Sequence, residues 1–94
     1  MSRIAFVWDP SKAASNRRKH GVSFEEAVEV FDDPVALLFA DLEHGEPRIV
    51  AIGVSSRGRT LFVVSVDVED DVMRIISARR ASRSERRSYE EEDH

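Results

Sequence analysis

"RIVAIGVSSRGRTLFVVSVDVEDDVMRIISA", residues 48–78, is the longest strand-like stretch of the chain and sets its architecture. Three runs rich in Val, Ile and Phe are separated by the polar "SRGR" around Gly58 and by Glu69-Asp70-Asp71. Such runs read as strands, and strands joined by such short connections pair antiparallel. Upstream, "VALLFA" (35–40) adds a fourth strand before the polar turn "DLEHGEP". "RIAFVW" (3–8) alternates Ile4, Phe6 and Trp8 on one side and reads as another strand.

Two helices are predicted between the first strand and the rest. Asp9 and Pro10 suit an N-cap and a first helical position, and Gly21 suits the left-handed residue that ends the helix. Ser23 and Glu26 make a capping-box pattern for a helix over "VSFEEAVEVFDD", whose Phe24, Ala27, Val28 and Phe31 share a face. Ser82 and Glu85 repeat that pattern for a last helix over "SRSERRSYEE", with residues 90–94 read as a frayed tail. The order strand, helix, helix, four strands, helix predicts one α+β domain over residues 1–94, a mainly antiparallel sheet packed with about three helices. On the "TLFVVSVDV" strand, Phe62, Val64, Val66 and Val68 form an apolar face suited to helix packing. Leu61, Val63, Ser65 and Asp67 form a mixed face expected to carry Ser65, Ser77 and Arg79.

Composition narrows the function. The 94 residues contain no cysteine, which excludes disulfide and thiolate chemistry. No apolar run approaches the ~20 residues of a membrane span, and "MSRIAFVWDP" is no signal peptide, so a cytoplasmic location is expected. His20, His44 and His94 lack metal-ligand spacing, and no cofactor is expected. The net charge is −4, but it is unevenly spread. Residues 1–20 hold Arg3, Lys12, Arg17, Arg18 and Lys19 against Asp9, while residues 21–56 hold eight acids against Arg48. From Arg74 to Tyr89 there are six arginines against Glu85. A fold that joins the two ends creates a basic surface on an acidic protein; otherwise the blocks pair internally and cancel.

Three stretches carry candidate chemistry. On the first helix Lys12, Asn16 and Lys19 or His20 share a face, which suits a phosphate backbone as well as it suits a solvated helix surface. Arg57 and Arg59 flank a hairpin tip, where a guanidinium can grip a phosphate bidentately or merely aid solubility. Arg74, Arg79, Arg80 and Arg83 favour phosphate or carboxylate recognition over simple solubility, because the guanidinium is planar, multidentate and permanently charged. Strict alternation puts Arg74 and Arg79 on opposite faces of their strand.

The blocks "FVWDPSKAASNRRKHGVSFEEAVEVFDDP", "IGVSSRGRTLFVV" and "RIISARRASRSERRSYE" together resemble the BrnT family of toxins from bacterial type II toxin–antitoxin modules. The resemblance runs from Phe6 to Glu90; Val7 departs from it, standing where the family often has an acid. It implies a RelE-like fold and a ribonuclease that blocks translation by cutting RNA. It also implies a BrnA-like antitoxin partner, a ribbon-helix-helix DNA-binding protein through which the complex would meet operator DNA.

Metal-free RNA cleavage by the 2′-OH needs a base, an acid and a cationic seat for the phosphorane. Lys12, His20, Arg59 and Arg79 are the expected catalytic residues. The base and the acid are expected among Lys12, Lys19, His20 and Tyr89, with His20 the first choice for base, because histidine changes charge near neutral pH. Lys19, Arg57, Arg74, Arg80, Arg83 and Tyr89 are the expected RNA contacts, with Tyr89 stacking on a base. The competing class is a non-catalytic RNA- or partner-binding module that acts with its antitoxin as a transcriptional co-repressor.

Overall fold

The computed structural model describes residues 4–43 and 45–92. His44, His94 and Arg3 lie outside the described residues. The elements are β1 (Ala5–Val7), α1 (Pro10–His20), α2 (Phe24–Val28), a 3-10 turn (Glu29–Asp32), β2 (Leu37–Asp41), β3 (Arg48–Val54), β4 (Thr60–Glu69), β5 (Val72–Arg80) and α3 (Arg83–Glu92). They build an α+β domain around a five-stranded sheet of order β1-β5-β4-β3-β2. All pairs are antiparallel except β1 with β5. The predicted second helix is shorter than expected, with "EVFD" tightening into the 3-10 turn that leads to Asp33. At the other end, α3 continues through Glu90 and Glu91 to Glu92.

The caps are formed by the residues that signalled them. Asp9 Oδ1 accepts from Ser11 N at 2.8 Å, and Gly21 sits at φ 69° with its N–H donating to Arg17 O. Ser82 and Glu85 close a full reciprocal box: Ser82 N donates to Glu85 Oε1 at 2.8 Å, and Glu85 N donates to Ser82 Oγ at 3.2 Å. At α2 only half a box forms. Ser23 Oγ accepts from Glu26 N, while the Glu26 carboxylate is drawn away to Ser55 and Arg59.

The main core corrects the expected sheet faces. Val22, Phe24, Ala27 and Val30 pack on Ala51, Leu61, Val63, Ile75 and Ala78, so α1 and α2 cover the face that looked mixed. Ser65, which made it look so, is fully buried and donates to Ile49 O at 3.2 Å. One internal bond lets a hydroxyl sit in a core at little cost. Trp8 packs edge-on against Phe24, with ring centroids 5.9 Å apart, and Phe6 tilts against Phe31 at 4.9 Å. Among the described residues, the Phe62/Val64/Val66 face receives only α3. Tyr89 is buried there with Val50 and Ile52, beside the half-buried Phe62 and Val64.

A β-bulge changes which side chains share a face. Val64 pairs with Ser77, but Ser65 pairs with Ile75, leaving Ile76 as the extra residue. Arg74 then lies opposite Val66, and Arg79 opposite Phe62. Directly opposed residues in an antiparallel pair point to the same side. Arg74, Ser77 and Arg79 therefore share the α3 face, contrary to the strict alternation that put the two arginines on opposite faces.

Candidate functional site

β1 pairs with β5 only as far as Arg74, and α1 packs beside the stretch of β5 that follows. Asn16 locks this seam. It is buried, its Nδ2 donates to Val22 O at 3.0 Å and to Ala78 O at 2.8 Å, and its Oδ1 accepts from Ala78 N at 3.1 Å. An asparagine thus supplies both the donor and the acceptor that a neighbouring strand would have given β5. Asn16 lines the same cleft as Lys12 and Lys19, but its amide is an anchor with no group left over for a phosphate.

Two clefts open along this seam. One, of about 320 Å³, is lined by Val7, Trp8, Asp9, Lys12 and Arg74–Ile76. The other, of about 210 Å³, is lined by Lys12, Ser15, Asn16, Lys19, His20, Ile76 and Ser77. Lys12 borders both, so the clefts form one groove with Arg74 at one end and Lys19 and His20 at the other. Lys12, Lys19, His20 and Arg74 are exposed. None of them is held by an ion pair to another described residue. The two basic ends of the chain do meet, and they meet here.

The remaining candidates lie elsewhere or are already engaged. Arg59 donates through Nε to Glu26 Oε2 at 2.9 Å and through Nη2 to Glu26 Oε1, with a further bond to Gly21 O at 3.1 Å. Its side chain is 17% exposed and that of Glu26 is 5% exposed. The Arg59 hydrogen bonds pull the Glu26 carboxyl below its ordinary range, outweighing the opposing effect of burial, with help from Ser55. Arg59 is raised by the same partner. A guanidinium fastened this way is a strut between the β3–β4 hairpin and α2. Arg57, at the hairpin tip, is 68% exposed and 3.7 Å from the same carboxylate.

Arg79 is held in a similar way. Its two terminal nitrogens donate to the Glu85 oxygens at 2.8 and 2.9 Å, and its guanidinium stacks 4.1 Å above the Phe62 ring. The Arg79 bonds lower Glu85 to about 2 against the cost of burial, helped by the Ser82 N–H, and Arg79 is raised correspondingly. Arg80 and Arg83 are exposed at the β5–α3 junction. Tyr89 is 8% exposed and donates to Asp33 Oδ2 at 2.6 Å. The ring is packed between α3 and the sheet residues Val50 and Ile52, which leaves no open face on which a base could stack, contrary to the expected role. Asp33 also accepts from Val54 N and Val35 N. Burial pushes its carboxyl up, but the bonds from Tyr89 and these two amides more than offset that and leave it lowered.

The family model for the ribonuclease toxin BrnT of type II toxin–antitoxin systems matches residues 8–85. The chain belongs to the BrnT family. Among solved structures, it resembles the Brucella abortus ribonuclease toxin BrnT, whose crystal structure reaches 1.1 Å resolution. The two are 26% identical with a TM-score of 0.69, over 85% of this chain and 99% of that one. A comparison with curated proteins gave no match. A BrnT toxin works in a pair with an antitoxin and acts on RNA. Among the described residues, no helix is long and apolar enough to cross a membrane.

Proposed function

We propose that this BrnT protein is a metal-independent endoribonuclease of RelE-like fold that blocks translation, and that the α1–β5 groove is its cleavage site. The observation that carries this reading is the convergence of Lys12, Lys19, His20 and Arg74 on one open groove of an acidic protein. These side chains make no ion pair with another described residue, whereas Arg59 and Arg79 are held by carboxylates. In the step envisaged, His20 accepts the 2′-OH proton as that oxygen attacks the adjacent phosphorus. Lys12 stabilises the charge on the phosphorane oxygens, and Arg74, at the other end of the groove, holds the neighbouring phosphate. The P–O5′ bond breaks, Lys19 donates a proton to the departing oxygen, and a 2′,3′-cyclic phosphate and a 5′-OH remain. Arg57, Arg80 and Arg83 attract flanking phosphates electrostatically, while Arg59 and Arg79 serve by bracing the hairpin and α3.

The partner proposed is a BrnA-like ribbon-helix-helix antitoxin, with operator DNA reached only through the complex, in the cytoplasm. Purified protein incubated with RNA and EDTA tests the enzymatic reading. Fragments ending in 2′,3′-cyclic phosphate are expected. Intact RNA that shifts on a native gel would instead identify a non-catalytic binder.

A further inference from the structure

Among the described residues, the sheet face that carries α3 is covered only at one end. Beyond α3, a row runs across the strands. Asp41 on β2 pairs with Arg48 on β3, Val66 on β4 pairs with Arg74 on β5, and Arg74 pairs with Val7 on β1. Ile49 pairs with Ser65, so the next step along β3 sets Arg48 beside Val66. Arg48 and Val50 are two residues apart and share a face, and Val50 lies under Tyr89 on the α3 side. Arg48 and Arg74 thus flank Val66 on one face. Their backbones are two strand spacings apart, about 10 Å.

Arg48 has an unusual deficit. Its Nε is buried and has no hydrogen-bond partner among the described residues. A buried donor of this kind is costly and calls for an acceptor. Arg74 is exposed and also lines the groove with Lys12, so the groove and this face are continuous through it. One row further along, Phe39 pairs with Val50, and Val50 with Val64. Phe39 points to the same face and is 47% exposed. An aromatic ring near one arginine, with a second arginine further across a half-open apolar sheet, is an arrangement that suits a single strand, with a base on the ring and phosphates on the guanidinia.

We infer that Arg48 and Phe39 form a substrate-binding subsite: Arg48 holds the RNA phosphate next to the one at Arg74, and Phe39 stacks a flanking base. This rests on the ribonuclease reading and extends it from the groove across the sheet. A modest rotation of the Arg48 side chain toward the open face would present its Nε–Nη edge to a phosphate in the bidentate manner. Arg48 lies away from the reacting phosphate, so it acts on binding and leaves the chemical step alone.

The test uses the full chain and an uncleavable single-stranded oligonucleotide with 2′-deoxyribose throughout, titrated by fluorescence anisotropy over a range of salt. Arg48→Met is expected to weaken binding about tenfold at low salt. It should also reduce the slope of log K against log salt by about 0.7, the change that follows when one phosphate is no longer neutralised. Arg48→Lys, which keeps the charge but lacks Nε, restores the slope and only part of the affinity. Phe39→Ala weakens binding about tenfold with the slope unchanged. Arg86→Met on the exposed side of α3 is the control. With an all-ribose substrate, Arg48→Met raises KM and leaves kcat within a fewfold. Wild-type affinity and slope in Arg48→Met would overturn the subsite, as would weakened binding with an unchanged slope. Cleavage of the all-ribose substrate by the wild type is scored separately, so failure of the subsite and failure of the ribonuclease reading are told apart.

Discussion

Asn16→Ala is expected to cost far more stability than a polar helix residue usually does. The side chain makes three buried hydrogen bonds, to Val22 O, Ala78 O and Ala78 N. At about 1 kcal/mol net for each bond, their loss amounts to roughly 3 kcal/mol. Alanine also leaves one amide and two carbonyls without their partner, a further cost that water entering from the adjoining cleft offsets in part. For a domain of this length, a loss of about 3 kcal/mol lowers Tm by roughly 12–24 °C. Urea and thermal denaturation followed by circular dichroism would measure it, with Ser15→Ala as the neighbouring control. Asn16→Asp should do no better than alanine, because its carboxylate can accept from Ala78 N but would face two carbonyl oxygens without a donor. Because α1 carries Lys12, Lys19 and His20, RNA cleavage should fall with stability in both variants. A loss below about 0.5 kcal/mol in Asn16→Ala, the range of an ordinary surface change, would refute the anchoring role of Asn16.

Glu85 is held at about 2 against an ordinary 4.5, so its stabilising effect is complete above pH 4.5 and disappears as pH falls toward 2. The full effect is up to roughly 3 kcal/mol, reduced to about 1–2 by solvent around the 39% exposed Arg79; Glu85→Gln should flatten this limb of a stability–pH curve. Tyr89→Phe keeps the buried ring but removes the donor to Asp33 and should cost about 1–2 kcal/mol in urea denaturation. Gly53→Ala would bring a methyl within 2.9 Å of Val30 Cγ1 and 3.1 Å of Ala36 Cβ; both neighbours are core side chains with little room to give, so a loss of about 1–3 kcal/mol is expected from thermal melts.

The element order was legible because its signals are local. Asp9-Pro10, Gly21, Ser23 and Ser82 mark helix ends through bonds spanning a few residues, and each does so in the structure. The faces of the sheet were not legible, because the bulge at Ile76 depends on the pairing of β4 with β5 and leaves no mark in "RIISAR". Ser65 misled for a related reason, since its acceptor, Ile49 O, is supplied by the adjacent strand. Residue type pointed to cations as the site, yet it could not separate Arg74 from Arg59 and Arg79. That separation turns on Glu26 and Glu85, and Glu26 lies 33 positions from Arg59. Arg48 stands in the sequence as a single base in an acidic segment, and only its register opposite Asp41 and its buried Nε bring it forward.

If the α1–β5 groove cuts RNA, Lys12 and His20 take part in the chemistry. Single-turnover cleavage of one RNA in EDTA, by wild type, Lys12→Ala and His20→Ala, tests this most directly, with melting curves to show that all three remain folded. Both side chains are exposed and outside the core, so stability should be nearly unchanged while the rate falls by about 100-fold or more in each. Cleavage at the wild-type rate in both variants would contradict the assignment of the groove as the cleavage site.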